Sequence, residues 1–383
     1  MPVFSLDPAQ TAWCAELRAL AADRLRPLVE KAEEVEPGHV NRPLVAELGR
    51  LGLLERLFTS GALDLCLMRE SLAYACTEAE TALALQGLGA HPVHAYGTPA
   101  QRDRWLPRVS EGSAVAAFAL SEPGAGSDAA ALSLTARTAG PGRWRLTGEK
   151  CWISNAPEAD FYTVFARTTA EAGARGVTAF LVPADRPGLT GRALDMLSPH
   201  PIGALDFDAV PVTADDVLGD VDRGFRVAMG TLNLFRPSVG AFAVGMAQAA
   251  LDATLAHTAR RDAFGGKLRD LQTVAHQVAE MALRTEAARL MVYAAAAAYD
   301  ENAPGVPKRA AMAKLLATET AQYVVDQAVQ LHGARALCRG HLLEHLYREV
   351  RAPRIYEGAS EVQRGIIAKE LYTESYADVE APE

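Results

Sequence analysis

Apolar positions over residues 7–111 recur with the period of an α-helix. In the first stretch the repeating residues are Leu17, Leu20, Ala21 and Leu25, and residues 73–88 are also rich in Ala and Leu. Spacings of three and four place apolar side chains on one face of a helix. This pattern predicts an all-α N-terminal domain over residues 1–113.

Short runs rich in β-branched and aromatic residues replace this pattern in the middle of the chain. They occupy residues 114–120, 144–148, 151–154, 161–166 and 177–182, and Gly, Pro, Asn and Asp separate them. Short strands with frequent turn signals are typical of an antiparallel barrel or sandwich. We expect an antiparallel, barrel-like β-domain over residues 114–222.

Long apolar stripes with few helix breakers return after Gly224. They cover residues 247–260, 271–300 and 307–332, and their faces are rich in Ala. Long helices joined by short loops indicate an antiparallel bundle, and small side chains let such helices approach closely. We predict a four-helix bundle over residues 223–383, which makes the whole chain an α+β fold.

Composition and charge narrow the classes of function. Apolar residues make up 49% of the chain and charged residues 22%, and the net charge is 38 − 47 = −9. A negative net charge argues against binding to nucleic acid or to an anionic membrane surface. The longest apolar run, residues 291–299, is too short to cross a bilayer, so we expect no membrane segment.

The N-terminus and the cysteines indicate a cytoplasmic protein. Residues 1–7 lack the basic and apolar regions of a secretory signal and are not Arg-rich like a transit peptide. The five cysteines show no C-x-x-C spacing, which argues against a disulfide framework or a zinc ribbon. The high content of Ala, Arg and Gly is typical of a GC-rich bacterial genome, so we expect a bacterial, cytoplasmic protein.

Two segments of the predicted β-domain suit a large planar ligand. Residues 121–128, Ser-Glu-Pro-Gly-Ala-Gly-Ser-Asp, contain glycines whose backbone N–H groups would form an anion-binding nest. Trp152 and Ser154, within residues 148–155, offer a flat apolar wall and a hydrogen bond. Taken alone, an ordinary tight turn and a core tryptophan explain these segments as well.

Three further segments lie in the predicted bundle. Arg261 is a cation suited to a bidentate contact with a pyrophosphate, although a solvated arginine at a helix end would look the same. Residues 328–333 read Ala-Val-Gln-Leu-His-Gly. Glu357 is a carboxylate among apolar and aromatic neighbours, whose burial would raise its pKa and strengthen it as a base. The structural alternative is a glutamate at a helix start, favoured by the helix dipole.

Taken together and in this order, the segments resemble the acyl-CoA dehydrogenase family across nearly the whole chain. The family shows segments like TEPGAGSD, G-x-K-x-W-I-[ST]-N, R-x-x-F-G…Q, AVQ-x-x-G and IYEG-[TS]-S-x-x-Q. They correspond here to residues 121–128, 148–155, 261–272, 328–333 and 355–363. The resemblance implies an FAD-dependent oxidoreductase that dehydrogenates an acyl-CoA thioester between its α and β carbons.

The resemblance also assigns residues to the FAD, which would lie between the bundle and the β-domain and reach a neighbouring subunit of a homo-oligomer, expected to be a tetramer. The residues that match contacts to the flavin and the pyrophosphate are Phe118, Leu120, Ser121, Gly126, Ser127, Trp152 and Ser154. The residues that match its other contacts, many of them across the subunit interface, are Arg261, Phe264, Gln272, Gln330, Gly333, Ala334, Ala359 and Glu361. Ala359 replaces a frequent Thr and Ala334 a frequent Gly, so each weakens a contact without removing a charge.

The residue that matches the catalytic base is Glu357. In the family the base occupies either this place or one just before an arginine on an earlier helix, and here Phe235 holds that earlier place, before Arg236. The residues that match substrate contacts are Ser127, Arg236, Tyr356 and Gly358. The resemblance implies that Glu357 takes the α-proton while a hydride passes from the β-carbon to flavin N5, and that the electrons pass on to an electron-transfer flavoprotein.

Three other interpretations remain open. A dehydrogenase of acyl-carrier-protein thioesters, an oxidase or a monooxygenase of the same fold in secondary metabolism would share these motifs, although Glu357 favours dehydrogenation. His341-Leu-Leu-Glu-His345 matches the H-x-x-E-H pattern of zinc peptidases, whose histidines share a helix face, but no third-ligand motif accompanies it and we expect no metal. The net charge of −9 disfavours a nucleic-acid-associated member of the fold.

Overall fold

The computed structural model describes residues 5–33, 38–198 and 200–379. Within them, the α-helices are α1 (Pro8–Leu20), α2 (Arg26–Glu33), α3 (Arg42–Arg50), α4 (Leu53–Thr59), α5 (Ala62–Ala75), α6 (Thr77–Tyr96), α7 (Pro99–Ser110), α8 (Gly224–Arg260), α9 (Gln272–Asp300), α10 (Val306–His332), α11 (Leu342–Glu349) and α12 (Ser360–Val379). A π-helix, Ala21–Leu25, lies between α1 and α2. The strands are β1 (Ala116–Ala119), β2 (Thr135–Thr138), β3 (Arg143–Ser154), β4 (Phe161–Arg167), β5 (Val177–Pro183), β6 (Leu189–Ala193), β7 (Ile202–Thr213), β8 (Val217–Leu218), β9 (Asp262–Ala263) and β10 (Gly266–Lys267). This order of helices, strands and helices confirms the predicted α+β class.

The chain divides into two compact units, each built from segments that are distant in sequence. The first unit contains the described residues of Met1–Asp23, Gly61–Glu80 and Asn233–Glu383, and the second those of Arg24–Ser60 and Thr81–Leu232. The predicted division into 1–113, 114–222 and 223–383 follows the order of the chain instead, and it stays a prediction.

Long helices form the core of the first unit. Its buried cluster takes residues from α5, α8, α9, α10 and α11, among them Cys66, Phe242, Met246, Val292, Val325 and Leu346, together with many alanines. A Cβ atom on Gly245 of α8 would lie only 2.4 Å from the carbonyl oxygen of Glu70 on α5. The small residues of the bundle therefore allow the close helix approach that the sequence predicts.

The second unit contains an eight-stranded sheet in the order β6-β7-β3-β2-β4-β5-β8, and β1 also pairs with β4. Most neighbours are antiparallel, but β1 and β2 both run parallel to β4. β1 pairs with the first part of β4 and β2 with its last residue, so residues 120–134 leave the sheet between them. The predicted antiparallel domain thus also contains two parallel pairings, which turn signals do not indicate because they show where strands end and not which strands pair.

The central strands of this sheet are buried on both faces. Phe161 and Phe165 of β4 join one apolar cluster with Trp105 of α7, whereas Tyr162 and Val164 join another on the opposite face. Strands that are buried on both sides read as continuous apolar runs, and for this reason the sequence predicts β4 and β5 well. β2 and β7 have exposed and buried positions and were not among the predicted runs.

Among the described helices, α8 is long and apolar enough to cross a membrane by length and composition alone. Its most apolar window of 18 residues has a mean hydropathy of 1.4, and 72% of that window is buried inside the structure. Such burial is also what the core helix of a folded domain shows.

Candidate active site

Glu357 lies in a turn between a 3-10 helix, Ala352–Arg354, and the start of α12. Its backbone is left-handed, with φ +52°, and Gly358 follows with φ +97°. Position 358 favours glycine, because residues with a side chain rarely adopt a φ of this size. A left-handed residue other than glycine costs about 1–2 kcal/mol, so the surroundings must hold Glu357 in place.

Three side chains hold this turn through two backbone carbonyl groups. The carbonyl oxygen of Glu357 accepts hydrogen bonds from Arg236 Nε at 3.2 Å and from Gln363 Nε2 at 3.3 Å. The carbonyl oxygen of Gly358 accepts from Lys314 Nζ at 2.7 Å and from Gln363 Nε2 at 2.8 Å. Because Arg236 lies on α8, Lys314 on α10 and Gln363 on α12, three helices of the first unit converge on the turn.

The carboxyl group of Glu357 is set up as a base. Its Oε2 atom is buried and has no hydrogen-bond partner among the described residues. Burial raises the pKa of this carboxyl above its usual range, and the nearby cations of Arg69, Lys314 and Arg236 limit the rise. Because Glu357 precedes α12 by three residues, it is not a glutamate of that helix's first turn.

Arg69 belongs to this cluster, although it was not among the predicted site residues. This arginine lies on α5 and is 2% exposed. Its Nε atom forms an ion pair with Glu80, and its Nη1 atom donates a hydrogen bond to Ser238 Oγ at 2.7 Å. The available signal was Arg69 beside Glu70 in a helix of mostly apolar residues, since a buried charge needs partners. Lys314, between alanines and leucines on α10, carried the same signal.

The place before Arg236 offers no alternative base. Phe235 is only 1% exposed and supplies no carboxylate. The predicted neighbours Arg236, Tyr356 and Gly358 do lie around Glu357, and Tyr356 is 36% exposed.

In the second unit, the segment after β1 presents an open backbone. The N–H and carbonyl groups of Glu122 and Ala125 bond each other at 3.1 Å, which closes a tight turn. Gly126 and Ser127 are exposed, and a Cβ atom on Gly126 would meet no atom within 4 Å. A ligand therefore has room to approach the backbone here, as an anion-binding nest requires.

A buried ion pair between Glu122 and Lys150, which was not among the predicted site residues, anchors this segment. Glu122 accepts from Ser133 N at 2.6 Å, Leu134 N at 2.9 Å and Lys150 Nζ at 2.8 Å. Lys150, which is 0% exposed, also donates to the carbonyl oxygen of Leu120 at 2.9 Å. Burial lowers the pKa of Lys150 to about 8, and Glu122 opposes that fall. The pair thus ties both ends of residues 120–134 to β3.

Trp152 lies at a bulge of β3. The register between β3 and β7 shifts between Lys150 and Ile153, and Trp152 has φ +57°. The bulge turns its indole outward, 49% exposed, while Cys151 and Ile153 on either side are buried. A core tryptophan is therefore the wrong interpretation, and the exposed ring on a rigid sheet suits the predicted wall for a planar ligand.

The other residues matched to the flavin lie close by in the chain, on or beside the same sheet. Phe118 packs against Phe165 with 4.9 Å between ring centroids, and Leu120 is buried. Ser154 ends β3, and the side chain of Asn155 bonds the carbonyl oxygen of Ala116 in β1 at 2.8 Å. The ligand contacts of these residues stay predictions.

The residues matched to the other FAD contacts, many of them across the subunit interface, lie on exposed parts of the first unit. Phe264 and Gly265 form the turn of the β9–β10 hairpin, with φ values of +54° and +82°, and Phe264 is 89% exposed. The remaining exposed positions are Arg261, Gln272, Gln330, Gly333, Ala334 and Glu361, while Ala359 is half-buried. Exposure leaves them accessible to a partner subunit, and their roles stay predictions.

The zinc-peptidase interpretation does not fit the two histidines of residues 341–345. His341 caps α11 from outside the helix and accepts from Leu343 N, whereas Nε2 of His345 lies 2.6 Å from Thr77 Oγ1. They therefore do not share a helix face. Over the described ranges, no group of three or more His, Cys, Asp or Glu side chains is placed to hold a metal, and none of the five cysteines is in a disulfide.

Comparison with known proteins agrees with this geometry. The chain matches family models described as the N-terminal, middle and C-terminal domains of acyl-CoA dehydrogenase over residues 7–113, 117–210 and 222–372. It is 38% identical over 338 residues to the mitochondrial short-chain specific acyl-CoA dehydrogenase of Bos taurus. The aligned residues cover 85% of this chain and 82% of that protein.

Two solved structures are also similar. Butyryl-CoA dehydrogenase from Megasphaera elsdenii superimposes with a TM-score of 0.89 at 32% identity, over 96% of this chain and 99% of that one. A glutaryl-CoA dehydrogenase from Mycobacterium smegmatis in complex with FADH2 has a TM-score of 0.89 at 27% identity, over 96% of this chain and 95% of that one.

Proposed function

Because the chain belongs to the acyl-CoA dehydrogenase family of FAD-dependent oxidoreductases, we propose that it dehydrogenates a short-chain acyl-CoA thioester with Glu357 as the catalytic base. The observation that carries this proposal is the buried Glu357 carboxyl, whose Oε2 atom is unpaired among the described residues and whose neighbours are three cations. The relatives from Bos taurus and Megasphaera elsdenii, named for short acyl chains, support the substrate class.

The second unit fits an FAD. Gly126 leaves its backbone open to a diphosphate, and the indole of Trp152 offers an exposed apolar face to a ring system. A bound FAD would supply the acceptor for the hydride of the β-carbon, and we propose an electron-transfer flavoprotein as the partner that takes the electrons onward.

The protein's own groups have two tasks in this reaction. The backbone N–H of Glu357 would donate to the thioester carbonyl, which increases the acidity of the α-proton. The Glu357 carboxylate then takes that proton and becomes a neutral acid. Arg236, Lys314 and Gln363 keep the turn fixed, so the carboxylate is already placed when the substrate arrives.

The substitution Glu357→Gln tests the base. It preserves the shape of the side chain, so FAD and acyl-CoA binding should persist, while flavin reduction in rapid mixing should slow by about 10³-fold or more. Glu374→Gln, on the exposed side of α12, is the matched control and should reduce at the normal rate. Near-normal bleaching of the flavin in Glu357→Gln would place the base elsewhere, and the proposed site would be withdrawn.

A turnover screen with an artificial electron acceptor tests the substrate class. It should cover straight, branched and cyclic CoA thioesters from butyryl to palmitoyl, with a matching set on an acyl carrier protein. We expect butyryl-CoA or a similar short thioester to react fastest. A preference for the carrier-protein set would instead favour a pathway-specific dehydrogenase or oxidase of the same fold.

We further propose a cytoplasmic homotetramer. Arg261 and Gln272 are exposed in the single chain. Residues that contact the FAD of a neighbouring subunit are expected to be exposed before the subunits assemble. Light scattering that finds a monomer with a full complement of FAD would contradict this assembly.

A further inference from the structure

Lys314 is a buried cation in the first third of α10. It is 0% exposed, and the helix residues around it, Ala310, Ala311, Ala313 and Ala317, are buried as well. A buried ammonium group is costly unless it is hydrogen-bonded and has a compensating charge nearby. Its hydrogen bond goes to a backbone carbonyl, that of Gly358, at 2.7 Å.

This hydrogen bond acts on the strained part of the turn. Glu357 and Gly358 are consecutive left-handed residues, and Lys314 is the donor that brings a formal charge to the second of their carbonyl groups. Arg236 does the same at the first. Two helices that are distant in the chain therefore hold the successive carbonyl groups of Glu357 and Gly358.

The charged groups around Glu357 differ in the partners that they bond. Arg69 is paired with Glu80, and Glu319 of α10 is paired with Arg354 at 2.9 Å and bonded to Ser360 at 2.6 Å. The other groups that act on Lys314, Tyr356 or Glu357 are Arg236 of α8, Glu349 of α11 and Glu361 of α12. Lys314 and Arg236 bond backbone carbonyls rather than carboxylates at this turn, so their charge remains available to Glu357.

We propose that Lys314 is a positioning residue for the base: its ammonium fixes the turn that carries Glu357 and supplies the fixed cation that keeps the carboxylate ionised. This inference rests on the proposed role of Glu357. At neutral pH the ammonium is mostly charged, because burial lowers its pKa only to about 8 and Glu357 opposes the fall. Without the ammonium, fewer cations lower the pKa of Glu357 against the effect of burial. The pKa of the carboxyl should therefore rise, and the carboxyl should stay protonated up to a higher pH.

The substitution Lys314→Met removes the charge and the donor at similar volume. Flavin reduction by butyryl-CoA, or by the fastest thioester of the screen, is followed by rapid mixing between about pH 5.5 and pH 9. We expect the acid limb of the rate profile to move upward by about one pH unit, which is about a tenfold loss of rate on that limb. Lys308→Met, on the same helix but paired with Glu374, should leave the limb in place.

A second readout does not depend on turnover. The infrared carboxyl band of Glu357, identified by its loss in Glu357→Gln, should titrate at higher pH in Lys314→Met than in the unmodified holoenzyme or in Lys308→Met. Lys314→Arg keeps the cation and should restore most of the original titration.

The outcomes separate this inference from the proposed function. A folded Lys314→Met with an unmoved acid limb and an unmoved infrared titration overturns the inference, as does an equal shift in Lys308→Met. A slower rate at every pH with no shift would mean a purely structural lysine and would also overturn it. If Glu357→Gln still reduces its flavin normally, the proposed function fails instead. Should Lys314→Met not fold, Lys314→Gln removes the same charge and is judged by the same criteria.

Discussion

The buried pair of Glu122 and Lys150 allows a prediction whose size follows from the structure. Glu122 is 3% exposed and accepts hydrogen bonds from Ser133, Leu134 and Lys150, and Lys150 is 0% exposed. Glu122→Gln keeps the shape, removes the negative charge and turns an NH2 group toward groups that are themselves donors. Breaking a buried ion pair from one side costs about 3–5 kcal/mol, and we expect a loss of unfolding free energy of that size at neutral pH.

The loss should depend on pH in a defined direction. In the unmodified protein Glu122 raises the pKa of Lys150 against burial, which brings it to about 8. In Glu122→Gln burial acts with less opposition, so the pKa of Lys150 falls further below its unfolded value of about 10.4. The unfolded state then binds more protons than the folded state over a wider range, and stability rises with pH there. The variant's deficit should therefore be larger near pH 6 than near pH 8, by about 1 kcal/mol or more.

Urea unfolding followed by far-UV circular dichroism at both pH values measures this effect. Lys150→Met in the Glu122→Gln background removes the stranded cation and should recover about 2 kcal/mol or more, because apolar replacements of a buried pair are often nearly neutral. Glu149→Gln, whose partner Arg192 is on the surface, is the matched control and should change stability by less than about 1 kcal/mol. The reasoning is refuted if Glu122→Gln is as stable as Glu149→Gln, or if adding Lys150→Met brings no recovery.

Three further predictions concern positions outside that pair. Gly126→Ala should leave the unfolding temperature of the apoprotein unchanged, since its Cβ atom would meet no atom within 4 Å, but should lower FAD retention in equilibrium dialysis; unchanged retention would mean that the ligand does not approach here. Gly245→Ala should destabilise the protein by about 2 kcal/mol in urea unfolding, because its Cβ atom would lie 2.4 Å from the carbonyl oxygen of Glu70. A variant of unchanged stability would show that α5 and α8 can move apart at little cost. Arg261→Gln, at an exposed position, should reduce FAD content and the oligomer mass seen by light scattering without lowering helicity; a normal, fully loaded oligomer would remove Arg261 from the interface.

Much of the fold is predictable from local pattern. The helical period locates α9 and α10 almost to the residue, and continuous apolar runs locate β4 and β5. The same reading splits β3 into two runs, 144–148 and 151–154, because the exposed residues near Gly148 interrupt the pattern, whereas the structure has one strand with a bulge at Trp152. β1 and β2 pair in parallel with β4, which no local pattern indicates, since strand pairing depends on contacts between distant segments.

The candidate site divides in the same way. The motifs by themselves identified Glu357, Trp152 and Gly126, because family resemblance and residue type are properties of short segments. Arg69, Lys150 and Lys314 were missed, because the partner of each cation lies elsewhere in the chain: Glu80 in the next helix, Glu122 at 28 residues and Gly358 at 44 residues.

By itself, then, the sequence determined which segments are helical and which are strands, and which functional groups are available to the site. The tertiary structure alone decided which charges are buried and what they face. A side chain's pKa and hydrogen bonds depend on the atoms within a few ångströms of it, and around Glu357 those atoms come from α5, α8, α10 and α12. No window along the chain contains all four, because burial arises only where the packed helices meet.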